Sequence, residues 1–227
     1  MTYLYGIWRF RLNIKAVIFD LDGTIADTLP LTVYSLKEVT RKLTGKVLSN
    51  EDILREFGPI DTEIIKKLAG SENNEDCVEV YINHFKDNFD TYIKPIEGIK
   101  ELLEYIKSRG IKVGLFTGRS CRVTLIILEK LGLRQFFDEI LAGDFTTVPK
   151  PDPEGIIKIL GKLETNSSES IYAGDFDVDI IASKAAGTLS VLALWASTGS
   201  PELIKLGPDK YFYTPDEFKK WLGSIIS

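Results

Sequence analysis

The chain has 227 residues, 44% hydrophobic and 27% charged, with 28 basic against 33 acidic side chains and a net charge of −5. This is ordinary globular composition, sized for one large domain or a core with an insertion, and able to hold that core without a disulfide or metal. The acidic balance excludes the basic footprint of a nucleic-acid binder and a polybasic membrane patch, and a lone histidine, His84, excludes any two-histidine metal site and argues against a Ser-His-Asp triad.

Residues 1–13 carry Arg9 and Arg11 but no apolar run of about seven residues, so no signal peptide is expected. They read as an N-terminal extension packing through Tyr3, Tyr5, Trp8 and Phe10. No apolar stretch approaches the roughly 18 residues of a membrane span. Two cysteines, Cys77 and Cys121, do not make a disulfide scaffold, and a reduced, cytoplasmic compartment is the expectation. Short apolar runs at 16–19, 111–116, 139–142, 170–173 and 189–195 predict strands, several apolar throughout as in a parallel sheet buried on both faces. Helical patterns at 98–109, 121–131, 153–163 and 177–186 alternate with them, the first closed by Gly110. This alternation predicts a doubly wound, Rossmann-like α/β core with right-handed crossovers.

Segment 30–94 breaks the rhythm. It shows about four helical patterns and no strand, one starting at Ser49 with Asp52 as a capping box and another over 76–92. It reads as an inserted α-helical cap domain, with the core in 14–29 and 95–227. Ligands of doubly wound folds bind at the carboxyl ends of the strands, where such a cap would sit. Within it, Phe57-Gly58-Pro59 is a candidate loop facing the site, and Arg55, Lys66 and Lys67 are candidates for a second anionic group. Ile60, Ile64 and Leu68 form a packing stripe that puts Lys66 and Lys67 on a solvated face instead. His84 reads as structural, and Cys121, with no histidine beside it, as inert.

Four strand ends carry chemistry. Asp20-Leu21-Asp22-Gly23-Thr24 sets two carboxylates two residues apart, which repel unless a cation lies between them; Mg²⁺ suits such oxygen ligands. Phe116-Thr117-Gly118-Arg119-Ser120 offers a hydroxyl and backbone amides at a helix start, an anion seat. Pro149-Lys150-Pro151-Asp152-Pro153 holds a lysine on a stiff segment before a helix. Gly174-Asp175-Phe176-Asp177-Val178-Asp179 ends a strand in acid again. Each alone has an ordinary reading: an Asp-rich turn, a helix cap at Ser120, a solvated lysine, or acids favouring a helix N-terminus. Four in succession do not.

This ordered set, over residues 14–195, resembles the haloacid dehalogenase-like superfamily. The cap's position resembles the C1-cap subgroup that includes phosphoglycolate phosphatase and β-phosphoglucomutase. The resemblance implies Asp20 as nucleophile, forming an aspartyl-phosphate, and Asp22 as general acid/base with its backbone carbonyl on Mg²⁺. It implies Thr117, Gly118 and Lys150 as the phosphoryl seat, with Lys150 also keeping Asp20 ionised. Asp20, Asp22 and Asp175 would hold Mg²⁺, with Asp179 as a supporting acid. Phe176, where many relatives have a small polar residue, and the extra acid Asp177 depart from the pattern. The implied function is a Mg²⁺-dependent, phosphoglycolate phosphatase-like hydrolase of a small phosphorylated metabolite. Alternatives are a phosphosugar mutase, an inorganic pyrophosphatase, or a non-catalytic binding protein on the same scaffold. Asp-Gly-Thr rather than Asp-Gly-Val after Leu21 tilts toward hydrolysis over mutase chemistry. A homodimer is left open.

Overall fold

The computed structural model describes residues 12–70 and 75–226. Its strands are β1 (Ala16–Phe19), β2 (Lys112–Phe116), β3 (Glu139–Leu141), β4 (Ser170–Gly174), β5 (Leu189–Ala193) and β6 (Lys210–Phe212). They make one parallel sheet in the order β3-β2-β1-β4-β5-β6. The order reverses at β1, which lies between β2 and β4. All four residues of β1 are buried, because helices cover both faces of the sheet and successive side chains point to opposite ones. Val17 and Phe19 enter a core layer with α5 (Ile99–Ser108), α6 (Cys121–Lys130) and α9 (Pro215–Ile225). Ala16 and Ile18 enter the other, with α7 (Glu154–Lys162) and α8 (Asp177–Ala186).

Between β1 and β2 the chain forms α1 (Leu29–Thr44), α2 (Asn50–Leu54), α3 (Asp61–Ala69) and α4 (Glu75–Tyr92). The longest of them, α1 and α4, pack along each other, and Tyr34 stacks on Tyr92 at 4.6 Å between ring centroids. α2 begins with the expected reciprocal cap: the Ser49 hydroxyl accepts from Asp52 N, and the Asp52 carboxylate accepts from Ser49 N. His84 is half-buried with Nδ1 3.1 Å from Ser35 Oγ on α1. Burial lowers its pKa, as befits a packing histidine. Among the described residues no helix is long and apolar enough to cross a membrane.

Some boundaries differ from expectation. The strand expected over 189–195 ends at Ala193. Beyond it Trp195 turns away, and its indole N–H donates to the Thr24 carbonyl at 2.8 Å, the partner a half-buried indole needs. Residues 98–109 are helical only over Ile99–Ser108, since Gly98 sits at φ 85°, outside helical space. β6 and α9 were not anticipated. β6 is a three-residue edge strand without an apolar run, whereas α9 does carry legible signals, the Thr214 hydroxyl accepting from Glu217 N and Phe218, Trp221, Leu222 and Ile225 at helical spacing. The aromatics expected to anchor the N-terminal extension, Tyr3, Tyr5, Trp8 and Phe10, lie outside the described residues. At its edge, Leu12 N donates to Ile225 O.

Candidate active site

The register of the central strands brings Asp20, Thr117 and Asp175 to the same end of the sheet, with Thr117 and Asp175 one residue further along than Asp20. Phe19 is opposite Leu115 of β2 and Ala173 of β4, so the three chains leave the sheet together. Gly23 makes the turn after β1 at φ 75°. A Cβ there would stand 2.1 Å from Asp175 Oδ2 and 2.2 Å from Thr198 Oγ1, so only glycine lets this turn approach the β4 end.

Asp20, Asp175 and Asp179 are each buried, with one oxygen from each lying within 4.8 Å of the others. Lys150 Nζ donates to Asp20 Oδ1 at 2.6 Å, to Asp179 Oδ1 at 2.7 Å and to the Tyr172 hydroxyl at 3.2 Å. The second oxygen of Asp179 accepts from Phe176 N at 3.1 Å. Burial pushes the Asp20 carboxyl up to about 7, against the attraction of Lys150 and with the repulsion of Asp179 and Asp22. Burial, then Asp179 and Asp20, push Asp175 up to about 8. Burial alone would lower the Lys150 pKa, but Asp179 and Asp20 outweigh it and hold the ammonium charged. This donor set fits a divalent oxygen-seeking cation: hard carboxylates crowded together, with Asp20 and Asp175 costly to ionise without one. Asp177 is apart from the three. Its carboxylate accepts from Val178 N at 2.7 Å.

Asp22 is held by a different cation from Asp20. Arg119 Nε donates to both its oxygens at 3.0 Å, and Thr28 Oγ1 donates to Oδ1. Arg119 is buried and reaches further, from Nη1 to Asp61 Oδ2 at 3.2 Å and from Nη2 to Thr32 Oγ1 at 2.8 Å. Burial opposes its charge, but Asp22 and Asp61 raise the guanidinium pKa above its ordinary value. Asp61 belongs to α3. Its Oδ1 accepts from Ser120 N at 3.0 Å, and Tyr81 OH of α4 donates to Oδ2 at 3.3 Å.

Of the residues expected from sequence, Asp20, Asp175, Asp179 and Lys150 meet in one cluster. Asp22 is adjacent, its carboxylate turned to Arg119. Thr117 is fully buried, and its hydroxyl accepts from Arg119 N at 3.1 Å, leaving its hydrogen free to donate onward. Gly118 lines the cleft. The expected anion seat at the start of α6 is corrected in part. Ser120 N is taken by Asp61 and Cys121 N by Asp144, so protein carboxylates occupy these amides. Ser120 stands at the helix start without a side-chain cap bond. Phe57, Gly58 and Pro59 do line the cleft. Arg55, Lys66 and Lys67 do not reach it: they pair with Asp52, with Glu63 and Glu75, and with Glu56. The cation facing the cleft is Arg119. Sequence reasoning quoted it without a role, although it lies two residues from Thr117. Asp61 was missed, since an acid in the first turn of a helix already has a sufficient reason to be there.

Comparison with known proteins agrees with this architecture. Residues 17–193 match the family model for haloacid dehalogenase-like hydrolases. The phosphoglycolate phosphatase of Aquifex aeolicus is 30% identical over 93% of this chain and 98% of its own. The pyrophosphatase PpaX of Halalkalibacterium halodurans is 29% identical over 87% of this chain and 92% of its own. A solved structure from Thermotoga maritima, provisionally assigned as a β-phosphoglucomutase, superposes with a TM-score of 0.75 at 27% identity, covering 94% of this chain and all of that one. With the family match spanning most of its length, the chain belongs to the haloacid dehalogenase-like hydrolases.

Proposed function

We propose that this enzyme is a Mg²⁺-dependent phosphatase that hydrolyses a small phosphomonoester through an aspartyl-phosphate on Asp20. The observation that carries the reading is Lys150 clamped between Asp20 and Asp179, beside Asp175. A carboxylate attacking a phosphate dianion faces charge repulsion, and preorganised positive charge is the largest means of offsetting it. Lys150 supplies one such charge at hydrogen-bond distance from the nucleophile. Asp20, Asp175 and the backbone carbonyl of Asp22 would hold Mg²⁺, which when bound neutralises phosphoryl charge as a Lewis acid. Asp179 anchors Lys150 and the start of α8.

Lys150 occupies Asp20 Oδ1, which leaves Oδ2 to attack phosphorus. The new O–P bond forms as the ester P–O bond breaks, and the leaving oxygen takes a proton from Asp22. Asp22 then removes a proton from water, whose oxygen attacks phosphorus and releases Asp20 and inorganic phosphate. Thr117 donates its hydroxyl to a phosphoryl oxygen. Asp22 must turn from Arg119 to reach the leaving oxygen, while its present contact fixes it as an acceptor near the cleft. Splitting the reaction at a covalent intermediate replaces one hard step by two.

The test is phosphate release from a panel of phosphoglycolate, sugar phosphates, pyrophosphate and a chromogenic aryl phosphate, with Mg²⁺ or with EDTA. Release that needs Mg²⁺ and is lost in Asp20→Asn is the expected result. Release unaffected by either change would refute the mechanism.

A further inference from the structure

The cleft between α3 and the strand ends is about 180 Å³. Its charged walls are Asp22, Asp61 and Arg119, with Phe57, Ile64 and Thr32 among the rest. Arg119 is the cation that faces it, and each of its three nitrogens already donates to a side chain: Nε to Asp22, Nη1 to Asp61, Nη2 to Thr32. With Asp22 carrying the proton it gives to the leaving oxygen, Asp61 alone balances the guanidinium, and this wall offers no net positive charge. Asp61 is itself buried and bound from three sides, by Arg119, Ser120 N and Tyr81 OH. It thus fills, as part of the protein, the seat that a carboxylate or phosphate on a leaving group would need.

We propose that Asp61 is a specificity-determining residue which saturates Arg119 from within, so that the cleft accepts a small uncharged leaving group, an alcohol or polyol, and rejects an anionic one. The apolar faces of Phe57 and Ile64 suit the carbon skeleton of such an alcohol. An anionic leaving group would have to displace Asp61 from Arg119, or lie against Asp22 and Asp61 without a free cation. A single uncompensated charge at such range, partly screened, corresponds to roughly a tenfold change in affinity. This inference rests on the phosphatase reading and narrows it. It also separates this chain from the activities for which its curated relatives are named, since glycolate and phosphate are both anionic leaving groups.

The experiment compares two esters of nearly equal size, 2-hydroxyethyl phosphate and phosphoglycolate, which differ in the leaving group's charge. With Mg²⁺, the protein is expected to cleave the neutral ester with a kcat/KM about tenfold or more above that of phosphoglycolate. Asp61→Asn, which frees Arg119 while keeping side-chain shape, should shift that ratio about tenfold toward phosphoglycolate. Asp61→Glu, which keeps the charge, should hold the original preference. Equal or better cleavage of phosphoglycolate by the unmodified protein overturns the inference alone, and needs no variant to fold. So does an Asp61→Asn ratio unchanged from the unmodified protein's. If neither ester nor the aryl phosphate is cleaved, the phosphatase reading itself fails and the inference with it.

Discussion

Lys150 and Arg119 divide the carboxylates of the strand ends between them. Lys150 takes Asp20 and Asp179, and Arg119 takes Asp22 and Asp61. Asp175 is paired with neither, and burial pushes its carboxyl up to about 8. Both Asp20 and Asp175 therefore bind protons more tightly folded than unfolded. For carboxyls raised in this way, the stabilisation is full below the unfolded value of 3.8 and is lost as pH rises through about 7 to 8. A divalent cation at these oxygens competes with those protons. The rise in Tm on adding Mg²⁺ to metal-free protein should thus be larger near about pH 8.5 than near about pH 6. Equal rises at both would place the cation elsewhere. At the proposed nucleophile, Asp20→Asn should lower kcat by about a thousandfold or more with Tm preserved. A loss under about tenfold would remove Asp20 from that role. Asp175→Ala should shift the Mg²⁺ activation curve to higher concentration, and an unmoved curve would assign the ligand to another acid.

Elements matter here through what they hold in place. α9, which like β6 was not anticipated from sequence, carries Phe218, which joins the sheet to the site's surroundings. Its ring meets Phe19 at 6.2 Å, Trp195 at 6.4 Å and Phe212 at 5.5 Å, while Trp195 ties down the loop after Asp22 through Thr24. Removing a fully buried ring leaves a cavity that close-packed neighbours cannot fill. Phe218→Ala should cost about 3–5 kcal/mol in urea unfolding. A cost under about 1 kcal/mol would show that this cluster repacks. The helical insertion was legible as helices because its apolar spacing is local. That α3 delivers Asp61 to Arg119 was not legible, because the two lie 58 positions apart in sequence.

Across the whole molecule, Arg119 is a buried link between the insertion and the core. It binds Asp22 after β1, Asp61 on α3 and Thr32 on α1, and its guanidinium carbon lies 5.7 Å from the centre of the Phe85 ring on α4. Breaking a buried ion network by removing one member strands charges of one sign. Arg119→Ala should therefore lower stability by about 3–5 kcal/mol and speed amide exchange in α3 and α4 more than in the sheet. Uniform exchange across the chain would mean that Arg119 stabilises the fold without fastening the two parts.

The parallel α/β core, the helical insertion, and the positions of Asp20, Asp22, Thr117, Lys150, Asp175 and Asp179 are legible in local patterns along the chain. Strand and helix periods are local, and each of these residues lies in a short motif at or just beyond the end of a predicted strand or before a predicted helix. Tertiary structure alone decided which carboxylate meets which cation. That pairing depends on strand register and on where the insertion docks, both set by contacts across scores of residues. The amides at the start of α6 show the difference: an anion seat in sequence, they are occupied by Asp61 and Asp144 once the chain has folded.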